Sequence, residues 1–579
     1  MELTDNARRV LESRYLRRDP AGRVVERPED MFARVARNVA SAEAAYAAGP
    51  GPQQAEEQFR QAMTALDFLP NSPCLMNAGR RLQQLAACFV LDVEDSLEGI
   101  FGTLRDAALI HQSGGGTGFS FSRLRPRGAY IETSGGAASG PVSFMRVYDQ
   151  ATSAINQGGF RRGANMAVLR ADHPDVLEFI RSKNEEGSLI NFNISVAVTD
   201  RFMEALDADA PFDLLDPQTG QVARTLPARE IFDAVVESAW RNGEPGVVFI
   251  DRINADNPTP HLGPIQATNP CGEAPLLPYE SCVLGSINLA HCLAGEPPAC
   301  TLDADRLAWL TRLGVRFLDD LITVTRHPLP QVAEMTLGNR KIGLGVMGFA
   351  DALIRMGVAY DEEAAERAAE RIMGLVSREA DLASEELAEE RGQFPNFAAS
   401  ALAGRPRPLR NAVRTTIAPT GTISIIAGCS GGIEPIFAVA FERRVLDGAP
   451  LKEVHPDLVP LCRRAGCELP DDVMRRIIET GCVRPMDEVP EAVRRLFVTS
   501  REVAPIRHLR VQAAFQRHTD NAVSKTINLP VDATRNDVRE IYLAAYELGC
   551  KGVTVYRDMS RKSQVLAVEC SSRRDACLD

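Results

Sequence analysis

The run Asn269-Pro270-Cys271-Gly272-Glu273 sets a thiol between an amide two residues before it and a carboxylate two residues after it. Pro and Gly pin such a cysteine at a loop tip, where the three side chains can converge on one ligand. An amide there can orient the ligand, a carboxylate can move a proton, and the sulfur can react. The plainer alternative, which covers most single cysteines, is a small buried hydrophobe in a turn. It leaves Asn269 and Glu273 without a purpose. Cys282 follows eleven residues later, near enough to return to the same site if the loop doubles back.

Three other stretches carry recognisable chemistry. Pro419-Thr420-Gly421-Thr422-Ile423-Ser424 offers a glycine, hydroxyls and free N–H groups that suit a diphosphate at a helix N-terminus. An ordinary strand-to-helix turn explains the same residues equally well, and no P-loop lysine follows. Gln157 to Asn165 holds Arg161 and Arg162 between glycines. Arginine forks suit phosphates and bases, whereas a solvated loop is the simpler account. Gly343-Leu344-Gly345-Val346-Met347-Gly348 satisfies GxGxxG, but Leu337 to Lys341 before it is poor strand material. A structural turn between packed elements is therefore expected there rather than a dinucleotide site.

The elements that must position these residues alternate along the chain. The first 69 residues read as helical, with Pro28-Glu29-Asp30 opening a helix whose apolar face carries Met31, Phe32, Val35 and Val39. Helices are expected at Ser143–Ala154, Ile231–Trp240, Leu307–Thr325, Asp361–Gly392 and Asp537–Leu548. Strands are expected at Asn191–Val198, Val247–Ile250, Val413–Ile417 and Gly552–Tyr556. That alternation favours an α/β architecture. Residues 558–579 turn polar and read as a tail.

Composition narrows the field. The chain has 579 residues, is 45% hydrophobic and 25% charged, and carries a net charge of −12. That balance disfavours a binder of polymeric nucleic acid or of membrane surfaces, although local arginines can still hold single nucleotides. Thirteen cysteines form no CxxC pair, and the N-terminus has no apolar signal segment, so the expectation is a cytoplasmic protein with reduced thiols.

Together the segments resemble the catalytic chain of ribonucleotide reductases, in particular the adenosylcobalamin-dependent class II enzymes. The matching runs, in order, include Asn71 to Gly79, Ala87-Cys88-Phe89-Val90, Gly114 to Ser120, Arg161 to Met166, Asn191 to Ser195, Asn269 to Glu273, Ile342 to Phe349, Pro419 to Ser424 and Thr519 to Thr526. Cys74 stands where Thr is commoner in that family. The resemblance implies a ten-stranded α/β barrel of two antiparallel five-stranded halves over residues 70–557, with a central finger loop. A helical region over 1–69 precedes it.

It also implies roles. Cys271 would carry a thiyl radical initiated by cobalt–carbon homolysis of adenosylcobalamin. Glu273 would act as general base, Asn269 would orient the ribonucleotide, and Cys88 and Cys282 would be the reducing pair. Ser72, Thr420, Gly421, Thr422 and Ser424 would bind substrate phosphates. Gln157 and Arg161 would contact the substrate from the loop Gln157 to Asn165, which would relay a deoxynucleoside triphosphate effector whose ribose Asp149 binds. Cys570 and Cys577, with six residues between them where two to four are usual, would form a tail pair recharged by a thioredoxin-like protein. A homodimer is implied, with neither nucleic acid polymer nor membrane as partner. Scattered Tyr542, Tyr546 and Tyr556, and the lack of a glycyl-radical motif, separate the chain from classes I and III. The alternatives are a chain fed by a separate radical-generating subunit and a non-catalytic nucleotide-binding regulator. The latter is disfavoured because Cys88, Asn269, Cys271, Glu273 and Cys282 are all present.

Overall fold

In the computed structural model the described residues are 1–560 apart from 133–134, 158–160 and 444–450. Helices come first: α1 (Asp5–Arg14), α2 (Pro28–Ala40) and α3 (Gly51–Thr64). Thr4 caps α1 by accepting from the Ala7 N–H at 3.1 Å. Met31, Phe32, Val35 and Val39 are buried along one face of α2, which packs against α3.

A sheet of ten strands follows: β1 (Phe68–Pro70), β2 (Cys88–Asp92), β3 (Gly116–Ser120), β4 (Asn165–Arg170), β5 (Phe192–Val198), β6 (Gly246–Phe249), β7 (Ser281–Asn288), β8 (Ile342–Met347), β9 (Thr526–Leu529) and β10 (Gly552–Arg557). Strands β2 to β6 lie in sequence order and run parallel. They are almost wholly buried, as parallel strands covered on both faces must be. In the second half β7 runs parallel to β8, and β9 to β10, while β1 joins β7 antiparallel. The halves meet antiparallel at two seams, β2 with β7 and β6 with β10. Parallel bridges Leu344↔Thr415 and Ile417↔Val523 span the interval between β8 and β9. This is the expected α/β barrel, and helices pack outside it.

Two local expectations are corrected. Gly343 to Gly348 is no turn: Ile342–Met347 is the buried strand β8. Its glycines answer to the neighbouring segment, because a Cβ on Gly345 would stand 2.2 Å from the Thr416 carbonyl oxygen. Conversely, Val413 to Ile417 is a bridged segment rather than a full strand, held to β8 by the Leu344 N–H on the Arg414 carbonyl at 2.8 Å and on its other side by the Ser524 N–H on the Ile417 carbonyl at 2.9 Å.

Helices α6 (Ala304–Val324) and α7 (Glu363–Arg391) lie side by side on the outside and fix the helical region to the barrel; helices α4 (Leu97–Gln112) and α5 (Pro141–Ala154) precede them. The fully buried Arg391 donates to Glu43 of the N-terminal region at 2.6 Å and to Asp319 and Asp320 of α6 at 3.0 and 2.6 Å. Removing one partner from such a buried network costs about 3–5 kcal/mol, since it strands the others without compensation.

Candidate active site

Between β6 and β7 the chain forms a small hairpin, Ala267–Thr268 paired with Pro275–Leu276, whose tip is Asn269 to Ala274. It lies inside the barrel and touches both halves. A Cβ on Gly118 of β3 would stand 1.9 Å from the Thr268 carbonyl oxygen, and Asn193 of β5 donates to the Pro270 carbonyl at 2.7 Å. From the other half, the Ala522 N–H donates to the Glu273 carbonyl at 3.1 Å. The tip is held from within by the Gly272 N–H on the Asn269 carbonyl, 3.0 Å, and by Gly272 at φ 82°, a conformation that favours glycine.

Asn269 works in two directions. Its side-chain oxygen accepts from the Ala274 N–H at 2.9 Å, and its Nδ2 reaches Cys88 Sγ at 3.0 Å. Cys271 is exposed at the tip, whereas Asn269 and Glu273 are buried beneath it. Cys88 Sγ points toward Glu273 Oε1 at 4.0 Å. Cys88 and Cys282 are direct partners across the β2–β7 seam. Opposed residues of an antiparallel pair stand about 4.5–5.5 Å apart between Cα atoms, inside the range a disulfide spans.

The electrostatics keep both sulfurs protonated. Burial pushes the Cys88 thiol well up, and the charges of Glu273, Cys282 and Cys271 add to it against the hydrogen bond from Asn269. Burial likewise raises Cys282, with Glu273 adding and the Lys341 ammonium opposing. Among the described residues no disulfide joins any of the eleven cysteines. The structure thus brings Asn269, Cys271, Glu273, Cys88 and Cys282 together at the hairpin.

The remaining expected residues fall in different places. Ser72 exchanges a hydrogen bond with the Tyr15 hydroxyl at 2.7 Å. Thr420 sits at φ 52°, and its hydroxyl accepts from the Gly432 N–H at 2.7 Å; Ser424 is buried, while Gly421 is exposed and Thr422 half-buried. The short helix Ile423–Ala427 that follows packs against β1 and α1, so the Thr420 loop and Ser72 lie on neighbouring elements. Gln157 and Arg161 are backbone partners in a two-residue antiparallel pair, and their side chains lie outside the described part. Asp149 is buried, and its carboxylate accepts from the Asn191 N–H at 2.8 Å and from Asn191 Nδ2 at 3.1 Å. In this structure it holds the start of β5. Cys570 and Cys577 lie outside the described residues.

Sequence reasoning missed Gly118, Asn193, Tyr15 and the Lys341–Glu280 pair. Gly116-Thr117-Gly118 did carry a signal: glycines two apart on a strand share a face, which something must approach closely.

A cysteine-tipped hairpin inside a ten-stranded barrel, above a cross-strand thiol pair, defines a thiol-bearing α/β-barrel protein. Comparison with known proteins makes this specific. The family models "Ribonucleotide reductase, all-alpha domain" and "Ribonucleotide reductase, barrel domain" match residues 1–83 and residues 86–406 with 403–556. The chain belongs to the ribonucleotide reductase large-chain family. It is 46% identical to a vitamin B12-dependent ribonucleoside-diphosphate reductase of Thermoplasma acidophilum, over 98% of this chain and 80% of the relative. A protein of the same description from Mycobacterium tuberculosis is 50% identical over 96% of this chain and 80% of its own length. The class Id ribonucleotide reductase alpha subunit of Actinobacillus ureae shares the fold, with a TM-score of 0.78 at 22% identity, over 96% of this chain and 97% of that one.

Proposed function

We propose that this chain is an adenosylcobalamin-dependent ribonucleoside-diphosphate reductase, which makes 2′-deoxyribonucleotides for DNA synthesis. The observation that carries the reading is the convergence of Asn269, Cys271 and Glu273 on one tip above the opposed thiols Cys88 and Cys282. The cofactor's chemistry fits the tip: Cys271 is exposed, and nothing lies within 4 Å of where a Cβ on the adjacent Gly272 would stand. Cys271 and Gly272 are the residues that would face it. Adenosylcobalamin, when bound, supplies the one-electron oxidation that turns the Cys271 thiol into a thiyl radical.

The protein's own residues do the rest. Cys271 takes the 3′-hydrogen and returns it to the same carbon after reduction at the 2′ position, Glu273 accepts the 3′-hydroxyl proton, and Asn269 orients the ribose. Cys88 and Cys282 give up two electrons and two hydrogens, water leaves from the 2′ position, and the pair closes as a disulfide. Ser72 with Thr420, Gly421, Thr422 and Ser424 holds the diphosphate. The loop Gln157 to Asn165, with Gln157 and Arg161 towards the substrate, relays a deoxynucleoside triphosphate effector whose ribose Asp149 binds. Cys570 and Cys577 carry reducing equivalents from a thioredoxin-like partner.

Dimerisation is supported by α4, which exposes Leu97, Phe101 and Leu109 along one face, beside the exposed Val147 of α5. An exposed apolar patch of that kind marks an interface.

The test is CDP against CTP, with and without adenosylcobalamin, in the presence of deoxynucleoside triphosphates and dithiothreitol. Cofactor-dependent dCDP is expected. No product under any effector, with cofactor bound, would overturn the reading.

A further inference from the structure

The reducing pair sits in unequal surroundings. Cys88 faces the site, next to Asn269 and Glu273. Cys282, opposed to it on the same face of the sheet, is wholly buried and lies beside the Lys341 charge. Because Val283 pairs with Ile342, the residues before them, Cys282 and Lys341, stand side by side on adjacent strands, about 5 Å apart along the hydrogen-bonding direction.

Lys341 is 2% exposed, and its ammonium donates to Glu280 Oε2 at 2.6 Å. Glu280 is secured by further donors, the Leu277 N–H at 2.7 Å and Asn339 Nδ2 at 2.5 Å. A buried ion pair is costly unless it serves something, and one acceptor leaves two of the three ammonium hydrogens to be placed.

A cavity of about 10 Å³ adjoins Lys341, walled by Asn521, Asp520, Lys551, Asp256 and Pro275. That is room for one water molecule. Asn521 Nδ2, on a residue 5% exposed, is buried without an acceptor. It and Lys341 are two donors for one water oxygen. The outer wall is Asp256, whose exposed carboxylate pairs with Lys551 at 2.8 Å.

We propose that Lys341, seated on Glu280 and supplied through a water in this cavity, delivers the proton that Cys282 takes up when the Cys88–Cys282 disulfide is reopened. This rests on the reductase reading above. A thiolate of the dithiol reductant attacks Cys88 Sγ and forms a new S–S bond with it. The bond to Cys282 breaks, and that sulfur leaves with the electron pair. Lys341 gives it a proton and regains one from solvent along the cavity. The reductant's second thiol then displaces Cys88 and passes it a proton, so the reductant leaves as a disulfide and both protein thiols are restored. The Lys341 charge also acts in the needed direction, favouring the Cys282 thiolate that burial and Glu273 oppose.

The experiment compares first-turnover product formation by pre-reduced enzyme with the steady-state rate on dithiothreitol, using adenosylcobalamin and CDP. Lys341→Met and Lys341→Arg are each expected to lower the ratio of steady-state to first-turnover rate at least about tenfold. Arginine keeps the pair with Glu280 but does not give up its proton, so a ratio restored by Lys341→Arg would overturn the proposal. So would an unchanged ratio in Lys341→Met. Should neither variant fold, wild-type enzyme in D2O decides: the steady state should slow about twofold more than the first turnover, and equal slowing would overturn the proposal. A wild-type enzyme that never turns over would instead sink the reductase reading.

Discussion

Gly118→Ala tests whether the barrel wall sets the position of the finger hairpin. A Cβ at this position would stand 1.9 Å from the Thr268 carbonyl oxygen and 2.8 Å from its carbon. Both are backbone atoms, so no side chain can swing aside. Restoring ordinary contact at 3.4 Å requires the hairpin base to retreat by about 1.5 Å, an overpacking whose cost in stability is typically about 1–3 kcal/mol. Thr268 adjoins Asn269, so the shift passes directly to the amide that reaches Cys88 and to the tip that presents Cys271. Misplacement of reacting groups by about 1 Å costs on the order of 100-fold in rate, and a loss of at least that size is expected here. Gly116→Ala is the matched control. Its Cβ would meet the Pro270 ring at 3.1 Å, where a few tenths of an ångström of give suffices. The assay is cofactor-dependent deoxynucleotide formation by both variants, with urea unfolding to report stability. Activity of Gly118→Ala within about threefold of Gly116→Ala would refute the argument that this contact fixes the site.

Other outcomes follow from the same geometry. Alkylation with iodoacetamide at about pH 8 should modify Cys271 well before Cys88 or Cys282, whose thiols burial keeps protonated; peptide mass mapping reads the order, and equal rates would contradict it. The wild type should sediment as a dimer and the variant with glutamate at both Leu97 and Phe101 as a monomer; a monomeric wild type would refute the proposed interface. Burial lowers His111 to about 4, so the unfolded chain protonates first: the stability this residue contributes is whole above about pH 6.5 and is lost as pH falls toward 4, by about 3 kcal/mol. His111→Gln should flatten that part of the pH dependence of urea unfolding; an unchanged slope would rule the residue out as its source.

Much of the candidate site was legible because it is local. Asn269, Cys271 and Glu273 lie within five residues, and the Pro and Gly between them already imply a tip. That Cys88 opposes Cys282 is a matter of register between strands 194 residues apart in sequence, which the family resemblance implied and spacing does not. The glycines of β8 misled for a related reason. They resemble a turn when read locally, yet the Thr416 carbonyl leaves no room for a Cβ at Gly345. Asp149 has a structural partner that spacing does not reveal: its carboxylate, on the helix before the arginine loop, accepts from the Asn191 N–H at 2.8 Å. Lys341 and Glu280 were invisible because a buried pair 61 residues apart has no signature in either neighbourhood.

The Cys88–Cys282 register also insulates the enzyme. Both sulfurs are enclosed, and their strands are already at bonding distance, so the pair can cycle between thiols and disulfide without any strand parting to let bulk solvent in. Under the proposed function the backbone frame of this centre is therefore the same in both oxidation states, and the redox cycle leaves the barrel undisturbed.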